Sequence, residues 1–253
     1  MSNLFALIQN ENMKIYRRPR NWIMMGMLLV IALVVAIIMK TVGDGESSMV
    51  EFMNIGKNFT MFVFIFSVVV TAEIVAGEFT WGTIKLLLIR PATRSKILLS
   101  KYIAALLYLL LLLVVNYIAT AIVGLIFFGN GDAGNLTMLS VLQAYGYTMI
   151  DLFMNLTFAF MISSVFRSSV LAIALTFILT FLSGTVMQVL VQLKYSWAKY
   201  ILFANTDLSQ YAAGHKPMLE GMTLPFSLTM LAVYYIVFVA LSWTVFSKRD
   251  VAG

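Results

Sequence analysis

Residues 77–101 read GEFTWGTIKLLLIRPATRSKILLSK and separate two long apolar runs. Five of the chain's seventeen basic residues lie in this stretch, at Lys85, Arg90, Arg94, Lys96 and Lys101. Lys and Arg are enriched in the cytoplasmic connections of membrane proteins, because these connections are not translocated across the bilayer. The stretch therefore predicts a cytoplasmic connection between two membrane spans.

The first half of this stretch has the periodicity of a short helix lying flat on the membrane. Trp81, Ile84 and Leu88 recur at helical spacing with Leu87 beside them, which would place an apolar stripe on one side. The simplest alternative is that the basic residues only fix the orientation of the chain, and this alternative stays open on the residues alone.

The ends of the proposed surface helix also carry recognisable signals. Glu78 and Thr80 suit the positive, N-terminal end of a helix, and Pro91 would end it. Thr93 is a candidate cap for the helix that re-enters the bilayer. We therefore expect a connecting loop over residues 77–96 that contains its own short helix.

Composition limits the chain to one class of protein. Of its 253 residues 61 % are hydrophobic and 11 % charged, and the mean hydropathy is +0.94, which is more apolar surface than a soluble core of this size could bury. The net charge of +6 sits at the membrane edges without a nucleic-acid-binding motif, so no nucleic acid is expected as a partner. The sequence predicts an all-α integral membrane protein.

Six apolar runs are long enough to span a bilayer. Before the first run, residues 1–21 alternate apolar and basic side chains at near-helical spacing and predict an interfacial helix. Between the last two runs, residues 191–223 mix aromatic and charged side chains, which predicts short helices at the outer leaflet. The expected spans are residues 22–39, 59–76, 98–128, 139–165, 170–190 and 224–246.

The distribution of Lys and Arg predicts the orientation. With six spans, the segments on the side of the N-terminus carry twelve basic residues and the segments on the other side carry five. The positive-inside rule then places both termini in the cytoplasm, as expected for a multi-pass protein of a bacterial cytoplasmic membrane. The whole chain is expected to form one transmembrane domain.

Polar residues inside spans are costly and are candidates for a function. They are Glu73, Asn116, Asp151, Asn155 and Gln188. Glu73 is expected to pair with a base of the N-terminal segment or of the connecting loop. Asp151 and Asn155 are spaced by four residues and share a helix face, which would border a transport path or the outer interface. For the three amides, hydrogen bonds between helices are the favoured interpretation.

Enzymatic chemistry is not expected in this chain. The sequence has no phosphate-binding loop of the G-x-x-x-x-G-K-[ST] type, so it should not hydrolyse ATP by itself. It has no cysteine and a single histidine, His215, which argues against a metal site. Ser183 could serve as a nucleophile only with a base inside the bilayer, and no histidine is available there.

One motif points to a family. The pattern Gly77-Glu78-Phe79-x-x-Gly82-Thr83-x-Lys85-x-Leu87-Leu88, followed by Arg90-Pro91-x-x-Arg94 and Lys101, resembles the signature loop of permease subunits of type 2 ABC exporters. In that family the loop is a coupling helix that docks on an ATP-binding subunit. The resemblance implies coupling roles for Glu78, Trp81, Gly82, Thr83, Lys85, Leu87, Arg90, Pro91 and Arg94.

The same resemblance implies partners and a cargo. Two copies of the chain would work with two ATP-binding subunits, which would hold ATP and magnesium. The cargo would be hydrophobic or amphipathic, and a peptide toxin or antimicrobial peptide is the preferred expectation. The alternatives are a channel, scramblase or membrane scaffold without an ATPase partner, in which the loop serves topology alone.

Overall fold

The computed structural model describes residues 3–42, 47–80, 93–131, 134–212 and 217–248. Within these ranges the chain is helical and contains no strand. The helices are α1 (Leu4–Tyr16), α2 (Pro19–Val42), α3 (Met49–Gly56), α4 (Thr60–Thr80), α5 (Arg94–Phe128), α6 (Met138–Phe166), α7 (Ser169–Gln192), α8 (Leu202–Asn205) and α9 (Leu224–Lys248).

Six helical stretches of the described chain are long and apolar enough to cross a membrane. They are α2, the stretch Met49–Thr80 that contains α3 and α4, and then α5, α6, α7 and α9. The prediction of an all-α membrane protein with six spans is therefore confirmed. Predicted and observed spans differ mainly at their ends, where the observed helices continue past the predicted apolar runs.

Helix α4 lies at the centre of the bundle. In its stretch 72 % of the most apolar window is buried inside the protein, against 17 % for α2, α7 and α9, which form the periphery. Helix α4 packs against α5, α6 and α7, and Ser163 of α6 donates a hydrogen bond to the Ala72 carbonyl at 2.6 Å. The three peripheral helices leave broad apolar faces for lipid or for another protein chain.

Helix α5 is longer than a bilayer requires. Its 35 residues span about 53 Å at about 1.5 Å per residue, whereas the hydrocarbon core is about 30 Å thick. Its N-terminal turns lie beside α1, and Thr93 caps them by accepting a hydrogen bond from the Lys96 backbone N–H. The capping role predicted for Thr93 is confirmed.

Part of the predicted loop between the first two spans is helical. Ser48 and Glu51 form a reciprocal capping box in which each side chain accepts a hydrogen bond from the backbone N–H of the other. This box starts α3, whose Phe52 and Met53 are fully buried. The acidic, glycine-rich residues that precede it are typical of a loop, whereas the Ser48–Glu51 spacing is a signal for the start of a helix.

The segment before the last span contains the short helices predicted for the outer leaflet. Helix α8 lies between two 3₁₀ turns, Ser196–Tyr200 and Leu208–Tyr211. Asn205 is fully buried and donates to the carbonyls of Lys199 and Ile201 at 2.8 Å. Ser227 of α9 donates to Asn205 Oδ1 at 2.7 Å, so the segment is fixed to the last span.

Candidate functional site

A partly buried cluster of four charged side chains joins α1, α4 and α5 at the end of the bundle that carries the N-terminus. Lys101 of α5 is 1 % exposed, and its Nζ lies 3.0 Å from Glu11 Oε2 and 3.1 Å from Glu78 Oε1. The same ammonium donates to the Ile74 carbonyl at 2.9 Å. All three N–H donors of Lys101 are therefore used, which satisfies an otherwise costly buried cation.

Lys14 of α1 completes this charged cluster, which we define as Glu11, Lys14, Glu78 and Lys101. Its Nζ lies 2.8 Å from Glu11 Oε1 and 2.8 Å from Glu78 Oε1. Burial by itself would lower the pKa of Lys14, but the two carboxylates outweigh burial and the pKa is raised. With two cations and two anions the cluster is balanced, as burial of charge requires.

The position of Glu78 corrects one prediction. Glu78 and Thr80 lie in the last turn of α4, not at the beginning of a separate surface helix. A carboxylate near the negative C-terminal end of a helix is unfavourable by itself. Here the ammonium groups of Lys14 and Lys101 compensate it, so long-range ion pairs override the local preference.

A second ionic contact lies beside the charged cluster. Glu73 of α4 accepts hydrogen bonds from Arg18 Nη1 at 2.9 Å and from Arg20 Nη1. The partners of Glu73 therefore come from the basic N-terminal segment, which was one of the two sources expected. Glu73 and Glu78 are five residues apart and bind different basic residues. Each glutamate thereby connects the N-terminal segment to α4.

Other contacts connect the same ends of the remaining helices. The guanidinium of Arg167, in the turn between α6 and α7, lies 4.5 Å from the ring centroid of Phe79 in a cation–π contact. Arg94, in the first turn of α5, donates to the carbonyl of Ser247 near the end of α9 at 3.1 Å. The described residues next to segment 81–92 thus contact α1, α9 and the turn between α6 and α7.

Most of the predicted coupling residues lie outside the described residues. This applies to Trp81, Gly82, Thr83, Lys85, Leu87, Arg90 and Pro91. Of the predicted set, the structure places Glu78 in the charged cluster and Arg94 at the start of α5.

Two of the intramembrane polar residues, Asn155 and Asn116, make hydrogen bonds to neighbouring helices. Asn155 donates to Asp151 Oδ1 at 3.0 Å and accepts from Thr180 of α7 at 2.8 Å, so the predicted pair is real and also joins two helices. Asn116 of α5 donates to Tyr145 of α6 at 3.0 Å and to the carbonyl of Gly56 at 3.3 Å. Two of the three amides therefore bond between helices.

Gln188 and Asp151 differ from these bonded amides. The side chain of Gln188 is exposed on the surface of α7, facing away from the helices. Asp151 is half-buried, and its carboxylate lies near Thr206 and Asp207 in the segment between α7 and α9, which we call the outer segment after its predicted side. Asp151 therefore lies beneath this segment, and its place beside a transport path or at the outer interface stays a prediction.

Glu11 was missed by sequence reasoning, although a signal for it exists. Leu7, Glu11 and Ile15 are four residues apart and form the buried face of α1. A carboxylate on the apolar side of an amphipathic helix indicates a buried partner of opposite charge. The sequence could have identified Glu11 in this way, but not Lys101 as its partner. No group of metal-binding side chains occurs among the described residues.

The fold and these contacts define a multi-pass helical membrane protein. The family described as protein of unknown function (DUF2705) matches residues 22–252, and this chain belongs to it. The uncharacterized protein YhcI of Bacillus subtilis (strain 168) is 44 % identical over 211 residues, covering 78 % of this chain and 67 % of the relative. The uncharacterized membrane protein YdbK of the same organism is 30 % identical over 244 residues, covering 94 % and 99 %.

Proposed function

We propose that this chain is the membrane-spanning subunit of an ATP-driven exporter of the type 2 ABC class. Two copies would work with two separate ATP-binding subunits, which would bind ATP and magnesium, because the sequence has no phosphate-binding loop. The protein would lie in the bacterial cytoplasmic membrane with both termini inside. The cargo would be hydrophobic or amphipathic, with a peptide as the preferred class.

The ion pair between Glu78 and Lys101 carries this proposal. Both residues belong to the pattern that resembles the exporter loop, and they stand on either side of segment 81–92. A force applied to that segment from the cytoplasm would reach α4 and α5, which this ion pair joins, and would pass to α1 through Glu11. A connection that served topology alone would not need such a buried ion pair.

In the proposed mechanism, movement of the ATP-binding subunits displaces helices of the bundle. ATP would draw the two ATP-binding subunits together, and segment 81–92 would transmit this closure to α4 and α5. Because α4 is the central helix, its displacement would change its packing against α5, α6 and α7. Asp151, beneath the outer segment, is the intramembrane residue that we propose meets the cargo on its way out.

The first test of this proposal is co-purification. The full chain is expressed with candidate ATP-binding subunits encoded by its host, solubilised in mild detergent and captured through a C-terminal tag. We expect an ATP-binding subunit to be retained, and we expect Gly82→Leu to reduce this retention.

The second test is ATP-dependent uptake of a labelled amphipathic peptide into inverted membrane vesicles. Glu78→Gln should lower uptake, whereas Glu220→Gln, which alters an exposed carboxylate in the segment before α9, should not. The exporter proposal fails if no ATP-binding subunit is retained and uptake is the same with Glu78→Gln as with the unaltered chain.

A further inference from the structure

A cavity of about 590 Å³ opens between the N-terminal segment, α4 and the beginning of α7. It is lined by Arg18, Pro19, Arg20, Glu73, Gly77, Thr80 and Ser169. This volume is within the range of about 300–1,000 Å³ typical of small-molecule sites. The cavity is therefore large enough for a charged group with several attached atoms.

Its position places the cavity at the level of lipid headgroups. Pro19 begins α2, and Trp22, three residues later, is 61 % exposed with its indole N–H donated to the Tyr16 carbonyl. An exposed tryptophan at the end of a span marks the membrane–water interface. The basic residues beside it put this interface on the cytoplasmic side by the positive-inside rule.

The donors of the cavity exceed its acceptors. Glu73 takes one N–H from Arg18 and one from Arg20, which fixes both guanidinium groups and leaves their other N–H groups available. Two cations against one carboxylate leave a net positive charge among the described lining residues, which favours an anion in the cavity.

Helix α7 adds to this preference for an anion. It begins at Ser169 on the cavity wall, and the N-terminal end of a helix carries a partial positive charge with unpaired backbone N–H groups. Ser169 and Thr80 also supply hydroxyl groups. Proteins commonly bind phosphate with arginine guanidinium groups, hydroxyl groups and the backbone N–H groups at a helix N-terminus.

We propose that this cavity binds the phosphate of an anionic molecule at the inner membrane surface. Two sources share this chemistry: the headgroup of an anionic phospholipid of the inner leaflet, and a soluble phosphate. Basic pockets between membrane helices on the cytoplasmic side are suited to the former. The site lies apart from the charged cluster, and its existence does not depend on the proposed export function.

The test measures binding of phosphatidylglycerol and phosphatidylcholine to the full-length chain in detergent micelles by native mass spectrometry. We expect one phosphatidylglycerol to bind per chain in preference to phosphatidylcholine. Arg18→Gln should weaken this binding about tenfold or more, the loss expected for a charge-assisted hydrogen bond. Arg17→Gln is the matched control, because Arg17 is an exposed neighbour of the same charge that does not line the cavity.

A second pair of variants distinguishes loss of lipid binding from a folding defect. Ser169→Glu adds a carboxylate to the cavity wall at a helix N-terminus, where it favours the helix and repels an anion. Gln9→Glu adds the same charge at an exposed position of α1 outside the cavity. We expect Ser169→Glu to abolish lipid retention without lowering the Tm, and Gln9→Glu to leave lipid retention unchanged.

Addition of millimolar inorganic phosphate distinguishes the two sources. Unchanged lipid retention supports the phospholipid headgroup, whereas displacement of the lipid with a rise in Tm supports a soluble phosphate. The proposal is overturned if the unaltered chain binds neither lipid nor phosphate saturably, if the two lipids bind equally and phosphate leaves the Tm unchanged, or if each cavity variant has the same effect as its control.

Discussion

Lys101 and Glu78 are 23 residues apart in the chain, yet Lys101 Nζ lies 3.1 Å from Glu78 Oε1. Between them lie the end of α4, segment 81–92 and the first turns of α5. The ion pair therefore joins the end of α4 to the beginning of α5. Glu11 and Lys14 connect this ion pair to α1.

Lys101→Met should strongly destabilise the protein. The substitution removes the buried cation that contacts both Glu11 and Glu78, and removal of one partner from a buried ionic cluster costs about 3–5 kcal/mol. The expected result is a large fall in the Tm of the full chain in detergent. Lys96→Met is the control, since Lys96 is an exposed base one turn earlier on the same helix and should change the Tm little.

A second variant identifies charge imbalance as the cause. Lys101→Met combined with Glu11→Gln restores neutrality around Lys14 and Glu78, so the double variant should be more stable than Lys101→Met alone. If the double variant is less stable than either single variant, the cluster is held by packing and not by charge balance.

The sequence predicted the spans well because each depends on a local property, the length of an apolar run. It did not predict the charged cluster, because Glu11 and Lys101 are 90 residues apart and nothing in either segment says that α1 adjoins α5. Glu78 shows the same limit: its local setting favoured a helix N-terminus, whereas its partners in space stabilise it at the end of α4.

The packing of α3 on α5 leads to a second prediction. A Cβ on Gly56 would overlap the fully buried side chain of Thr120, so Gly56→Ala should force the helices apart at a cost of about 1–3 kcal/mol. The measurement is the Tm of the full chain in detergent. Gly26→Ala is the control, because a Cβ there meets no atom within 4 Å, and it should leave the Tm unchanged or slightly higher. Equal effects of the two substitutions would contradict close packing at Gly56.

Asp151 provides a prediction that separates transport from stability. Asp151→Asn keeps the size of the side chain and an oxygen that can accept from Asn155, so the Tm should change by no more than a hydrogen bond in a membrane protein is worth, about 1 kcal/mol. If the residue meets the cargo, ATP-dependent uptake of a labelled amphipathic peptide into inverted vesicles should fall several-fold. Asp207→Asn, at an exposed carboxylate that caps an outer 3₁₀ turn, is the control. Normal uptake with a lower Tm would assign Asp151 to packing alone.

The orientation of the chain can be tested without a background signal, because the sequence has no cysteine. Single cysteines at Lys85, Lys194 and Lys248 are labelled in intact cells with a membrane-impermeant maleimide. The positive-inside rule predicts that only the cysteine at position 194 reacts, since Lys194 is exposed in the turn that follows α7, on the side opposite the N-terminus. After the cells are opened, the cysteines at 85 and 248 should react as well. Labelling of position 85 in intact cells would place segment 81–92 outside, where no ATP-binding subunit could reach it, and would remove the basis of the export proposal.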